Sequence, residues 1–439
     1  MRAVSGNADV IVVGAGLAGL SCAVRLEREG YSVLVLEASP TVGGRVRSDR
    51  LEGFTLDRGF QVLLTAYPEA RRTLDFEALD LRTFLPGALV RVGGAFHRVS
   101  DPRRRPADLA ATLRAPVGSL ADKIRVGRLR ARVERGTLEQ LFERPATTTV
   151  EALRSEGFSH VMIQRFLRPF FSGIFLERDL KTSSRMFEFV FRMFAAGDAA
   201  LPARGMGAIS EQLAGCLGEG TLRTGTRVAA LDGAGVVLSN GERLAAPTVV
   251  VATDGVAAAN LVPGLVEPLH RSVTCLYFAA EQPPIDDPVL VLDGEDEGPV
   301  NNLCVPSQVA STYAPPGASL ISATVIGNPA SGDEQLETDV RRQLTRWFGA
   351  QVNGWRHLRT YRIRHALPAQ PPASRRADSA RLGPGLYVCG DYREMASIEG
   401  SLISGKRAAE AVIEDRRGGQ GPAGHASGRD RSRMLPLRN

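Results

Sequence analysis

The chain has 439 residues, 44% of them hydrophobic and 23% charged, with a formal net charge of +6. Such a length predicts two domains, and the composition is that of an ordinary globular protein rather than a disordered or fibrous one. Five scattered cysteines without a C-x-x-C pair fit free buried thiols in a reducing compartment better than a disulfide framework, and six dispersed histidines offer no ligand spacing, so no metal is expected.

In chain order, Val10 to Val13 form a short apolar run that predicts a buried parallel strand. Gly14, Gly16 and Gly19 come next, where glycine permits a tight turn, close backbone approach to a pyrophosphate, and tight helix–strand contact. A helix beginning at Leu17 turns its free N–H groups towards those phosphates. Tyr31 to Leu36 predict a second strand, and Glu37 at its tip is placed to accept hydrogen bonds from ribose hydroxyls. Strand, glycines, helix and distal acid together specify a bound dinucleotide. Although residues 10–26 are apolar, their glycines, Arg25 and Glu27 argue against a signal sequence or a span, and no other segment reaches about 20 uninterrupted apolar residues. A cytoplasmic protein is the expectation.

Directly behind this unit, Gly43, Gly44 and Arg45 provide a second close backbone approach and a cation for the pyrophosphate. Residues 85–199 read as mostly helical. Their stretch 98–135 is rich in arginine, which fits a solvated helix face and also a docking surface for anionic lipid, hence a peripheral membrane contact. Nucleic acid is not expected, because no recognition motif accompanies the charge. Eight of the 17 phenylalanines fall between 166 and 194, a density suited to a core or to an apolar channel, with Phe171 and Phe175 as candidate substrate contacts. Residues 266–379 read as strands such as SVTCLYF and SLISATVIG, with a helix near 334–348. Leu386 to Cys389 predict a strand, Gly390 frees Asp391 to reach a polyol, and Gly400 and Ser401 open a helix ending near Val412. The Gly/Arg/Ser-rich tail, residues 417–439, is expected to be disordered.

These motifs identify a family. Segments 9–62, the run PARGMGAISEQLA at 202–214, TVVVATD at 248–254, and 385–412 resemble the superfamily of flavin-containing amine oxidases, phytoene desaturases and protoporphyrinogen oxidases. The resemblance implies an α/β fold: a discontinuous, Rossmann-like, glutathione-reductase-like FAD-binding domain (1–84, 200–265, 380–416) and a second, α+β substrate domain (85–199, 266–379). It implies that FAD meets Gly14, Ala15, Gly16, Leu17, Ala18, Gly19, Glu37, Ala38, Gly43, Gly44 and Arg45. Further contacts are implied at Gly59, Phe60, Gln61, Val228, Ala252, Gly390, Asp391, Ile398, Glu399 and Ser401. Tyr392 is within reach of substrate by motif position, as is His365.

Two departures from the family pattern narrow the chemistry. Where amine oxidases often carry a lysine over the flavin, this chain has Val273, Thr274 and Cys275. Some members tether FAD through a cysteine after the final strand; here Asp391, Tyr392 and Arg393 come after Gly390, so non-covalent FAD is expected. The expected activity is hydride transfer to FAD from a hydrophobic, carotenoid-like or tetrapyrrole-like substrate, in desaturation or isomerisation, with oxygen or a quinone as acceptor. Oxidation of amines or amino acids with peroxide release is the alternative. No catalytic side chain is identified, and a monomer or a homodimer is compatible with the sequence.

Overall fold

A computed structural model describes residues 8–374 and 378–418. Its first sheet is assembled from remote pieces, in the strand order Leu222–Arg223, Val33–Leu36, Val10–Val13, Val249–Val251, Leu386–Val388 and Arg381–Gly383. All pairings are parallel except the last. Val12 lies opposite Val35 on one side and Val250 on the other, so the N-terminal strand is central. Its side chains alternate between two cores. Val10 and Val12 join the apolar cluster of helices Leu17–Arg28 and Ile398–Gly418, while Ile11 and Val13 meet Val236 and Leu238 of a three-stranded antiparallel sheet. Both faces are covered, which is why the run is apolar throughout.

The final helix departs from expectation at both ends. It opens at Ile398 rather than Gly400, and it passes Val412 to reach Gly418. Contacts sustain the extra turns: Arg416 donates to the Asp9 carbonyl at 2.8 Å, and Arg417 pairs with Glu29 at 2.7 Å. Residues 417 and 418 of the expected tail are thus helical, and residues 419–439 lie outside the described residues.

The first insertion also differs, because it begins with a β-hairpin, Gly87–Val92 and Ala95–Ser100, before turning helical. Gly93 and Gly94 supply the turn, at φ 62° and 75°, the paired left-handed geometry that hairpins favour. Gly87–Val92 then runs parallel to Leu290–Asp293, so the two insertions share one seven-stranded sheet. Its order is Arg356–Pro368, His270–Ala280, Ser319–Ile326, Val300–Cys304, Leu290–Asp293, Gly87–Val92, Ala95–Ser100. One face packs on the helix Asp333–Phe348 through Leu276, Phe278 and Ile321. Alternate residues, Cys275 and Tyr277 among them, face a core shared with the helices Arg168–Phe175 and Ser184–Ala196.

The two helices on the first sheet cross at unusually short range. A Cβ on Gly405 would stand 2.1 Å from the carbonyl oxygen of Ala18, and Ser21 Oγ donates to the Leu402 carbonyl at 3.1 Å. We expect Gly405→Val to force the helices apart and destabilise the protein by roughly 1–3 kcal/mol. Gly127→Ala, on an exposed helical turn with open space around the added methyl, should instead stabilise it by about 0.5–1 kcal/mol. Thermal unfolding of the two variants beside the parent checks both signs.

Candidate functional site

A cavity of about 1590 Å³ runs from the first sheet into the helical insertion. At its polar end, Gly14 takes φ 106°, and a Cβ there would meet the Ala252 carbonyl at 2.8 Å. Only glycine allows this turn over the neighbouring strand. Gly19 is required for packing, since its Cβ would lie 2.0 Å from the Gly14 oxygen. Gly16 is different: it lines the cavity, and nothing lies within 4 Å of where its Cβ would stand. The backbone is bare there because that side is cavity.

Glu37 is buried and holds the turn together. One carboxylate oxygen accepts from Ala15 N and the other from Ser39 N, each at 2.8 Å. Across the cavity, Arg45 and Asp391 form an ion pair at 2.6 Å, and Arg45 also donates to the Ala366 carbonyl at 3.2 Å. Gln61 donates to the Arg45 and Arg58 carbonyls, at 2.9 and 3.2 Å, fixing the segment Gly59–Gln61 against the wall. At the start of the last helix, Ser397 Oγ accepts from Gly400 N at 2.9 Å, and Ser397, Ile398 and Ser401 line the cavity.

Most of the residues expected to hold a cofactor come together. Gly14, Gly16, Leu17, Ala18, Glu37, Ala38, Gly43, Gly44 and Arg45 line this one space, as do Gly59, Phe60, Gln61, Val228, Ala252, Gly390, Asp391, Ile398 and Ser401. Ala15, Gly19 and Glu399 do not. Ala15 is sealed behind the turn, where its N–H meets Glu37 and its carbonyl accepts from Gly43 N at 2.8 Å. Glu399 points away to a second helix, Pro68–Thr73, accepting from Glu69 N at 2.8 Å and Ala70 N at 3.0 Å. It caps that helix rather than facing the cavity. Cys389 is buried in the core beside the last strand, and burial pushes its thiol up to about 12.

The other end of the cavity is apolar. Phe166, Phe170, Phe171, Phe175, Phe191 and Phe194 line it with Met162, Met186 and Val190, while Phe187 and Phe189 are fully buried outside it. A π-helical turn at Ile163–Leu167 leads into the aromatic helix. Tyr392 is a correction: it lies against Gly390 and Gly255 behind the wall, its hydroxyl sealed and unpartnered. His365 does reach the wall, edge-on to His270 at 5.1 Å. Burial, then the neighbouring His365 and Arg45, lower the pKa of His270. No motif pointed to Asn302 or to Ile363 and Arg364 in the cavity wall, because pairing between strands distant in sequence places them.

Five carboxylates among the described residues line the cavity, and each is engaged by protein. Glu37 holds the glycine turn and Asp391 pairs with Arg45. Asp101 meets Arg130, Asp198 meets Arg104, and Asp254 caps Val256 N and Ala257 N at 3.0 and 3.1 Å.

Comparison with known proteins then gives the relationship. The family model described as flavin-containing amine oxidoreductase matches residues 17–413. The hydroxysqualene dehydroxylase of Rhodopseudomonas palustris is 28% identical over 451 aligned positions, covering 92% of this chain and 98% of that protein. Among solved structures, a putative protoporphyrinogen oxidase from Exiguobacterium sp. superposes with TM-score 0.71 at 20% identity, over 93% of this chain and 100% of the other. Cyclohexylamine oxidase from Brevibacterium oxydans does so with TM-score 0.70 at 18% identity, over 94% and 100%.

The buried Glu399 makes a pH test available. Burial raises its pKa to about 7, outweighing the two N–H donors, with Glu69 adding repulsion. A carboxyl whose pKa is raised on folding stabilises the fold fully below its unfolded value, and loses that contribution as pH climbs through the folded value. Between pH 5 and 8 the parent should therefore lose roughly 1–3 kcal/mol relative to Glu399→Gln. Melting temperatures of both proteins across that range check it.

Proposed function

The chain belongs to the flavin-containing amine oxidoreductase family, and from that premise we propose that it is an FAD-dependent oxidoreductase of a hydrophobic, isoprenoid-like or tetrapyrrole-like substrate. That it is a flavin-dependent oxidoreductase follows from the family; the dinucleotide form, its non-covalent binding and the substrate class are our reading. Supporting FAD is the cradle of bare backbone at Gly16, with Glu37 and Val228 along one arm and Arg45, Asp391 and Ser401 along the other. Bound FAD supplies hydride acceptance. The inert, buried Cys389 thiol supports non-covalent binding.

The chain's own residues position, charge and dry the site. Arg45 is a fixed cation beside the bare glycine backbone, oriented by Asp391. N–H groups at the start of the last helix give a local positive potential at Ile398, next to the cavity. The phenylalanine-lined end excludes water and offers an entering molecule apolar ring surface rather than a counter-charge.

One observation carries the substrate class: the aromatic end of the cavity, together with the prior engagement of every lining carboxylate. An ammonium group entering there would find no free anion. The full-length relative from R. palustris is named for a triterpenoid alcohol, which is consistent with such a chamber. Anaerobic titration with hydroxysqualene, carotenoid precursors, porphyrinogens and a panel of amines should bleach or perturb the flavin spectrum with the apolar compounds. Bleaching by amines alone, with peroxide released on admitting air, would overturn this assignment.

A peripheral membrane contact belongs to the same reading. No helix among the described residues is long and apolar enough to cross a membrane. Leu109, Leu113, Leu120 and Ile124 are nonetheless 43–62% exposed at the cavity mouth, with Lys123 among them and Arg114 and Arg128 exposed nearby. Apolar side chains rimmed by cations match an anionic bilayer, and they would let an insoluble substrate enter without crossing water. The protein should co-sediment with phosphatidylglycerol vesicles at low salt and release as salt rises. A variant with all four replaced by serine should stay in the supernatant; equal sedimentation of the two proteins would sink the idea.

A further inference from the structure

The apolar end of the cavity contains a polar side chain that the proposed function leaves unused. Asn302 is 2% exposed, lines the chamber with Phe171, Gly173 and Phe175, and lies on the strand Val300–Cys304. The ladder to Ser319–Ile326 shifts register here, from Val300 opposite Val325 to Asn302 opposite Thr324, leaving Asn301 as the extra residue of a bulge. Bulges re-aim side chains, and this one brings two consecutive carboxamides together. Asn301 Nδ2 donates to the Pro169 carbonyl and to Asn302 Oδ1, both at 2.9 Å.

Those bonds settle the orientation of both amides. Pro169 offers an acceptor, so Asn301 must present its nitrogen; Asn302 must therefore present its oxygen to Asn301. The helix Arg168–Phe175 seats on the pair through Gly173, whose Cβ would stand 2.9 Å from Asn302 Oδ1. Asn302 Nδ2 is left with no protein acceptor among the described residues. It is also not sealed, unlike the unpartnered Ser172 Oγ beside Gly173 and Thr324 Oγ1 on the paired strand. Its opening is the chamber.

We propose that Asn302 Nδ2 donates a hydrogen bond to an oxygen atom of the substrate, so that the natural substrate is an apolar molecule carrying a hydroxyl or carbonyl group. This rests on the apolar-substrate reading of the same cavity and narrows it. A pure hydrocarbon would cover the amide and leave its N–H groups without a partner, which is costly in apolar surroundings. An oxygen at that point satisfies them. Sites built around a buried donor reject ligands lacking the matching group more strongly than sites built on shape alone.

The test compares hydroxysqualene with squalene, each titrated into the flavin-loaded protein and followed through the visible flavin spectrum. The parent should bind hydroxysqualene on the order of tenfold more tightly. Asn302→Leu should abolish that preference, chiefly by weakening hydroxysqualene. Asn302→Asp keeps the acceptor for Asn301 and offers an acceptor to the substrate, so it should hold the alcohol while losing the corresponding ketone. This second variant carries the test if Asn302→Leu fails to retain flavin. A parent without preference, a preference unchanged in Asn302→Leu, or an Asp variant ranking alcohol and ketone as the parent does would overturn the role of Asn302. Indifference to both compounds together with bleaching by amines would instead bring down the underlying assignment.

Discussion

Two helices that lie almost 400 residues apart in the chain meet where Gly405 rests on the Ala18 carbonyl, and the geometry of the site depends on that contact. The helix Leu17–Arg28 carries the glycine turn at its start, and the helix Ile398–Gly418 begins at Ser401's end of the cavity. Locked side by side, they aim their N-termini at the same space. The Arg45–Asp391 ion pair then bridges segments that share no local connection. Small residues at the crossing let backbone approach backbone, and a bulkier residue at either side would separate the two walls.

How much of this was legible in the sequence depended on whether the cause was local. The turn at Gly14 is dictated by its own φ and could be read, as could the place of the acid at the end of the second strand. The Ala15 and Ser39 N–H groups that hold Glu37 could not. The hairpin at residues 87–100 was also readable, through the Gly93–Gly94 pair between alternating segments, but the helical bias of residues 106–196 masked it. So was the true start of the last helix, since Ser397 is an ordinary capping residue. Glu399, Tyr392 and Asn302 were not readable. Glu399 is claimed by a helix starting at Pro68, Tyr392 is turned behind Gly255, and Asn302 is exposed to the chamber by a bulge. Each outcome is decided by a partner distant in sequence.

The cavity is divided by chemistry as well as by shape. Its glycine-lined end presents backbone and fixed charges, and its phenylalanine-lined end presents rings. Carboxylates along the wall are already engaged by arginines or by backbone N–H groups, so they orient their neighbours rather than stand as free anions. The aromatic cluster is itself tied together edge to face, as with Phe171 and Phe187 at 4.8 Å, which stiffens the chamber against collapse.

The parallel pairing of Gly87–Val92 with Leu290–Asp293 has a consequence for biosynthesis. The early hairpin emerges from the ribosome about 200 residues before its partner, an interval of roughly 10–40 s at ordinary elongation rates. Throughout that delay it offers an open strand edge, the surface most apt to recruit the wrong neighbour. A nascent chain of this architecture must therefore leave its hairpin unpaired until Leu290–Asp293 has been made, and a chaperone that shields strand edges during that window would serve it more than one that accelerates collapse.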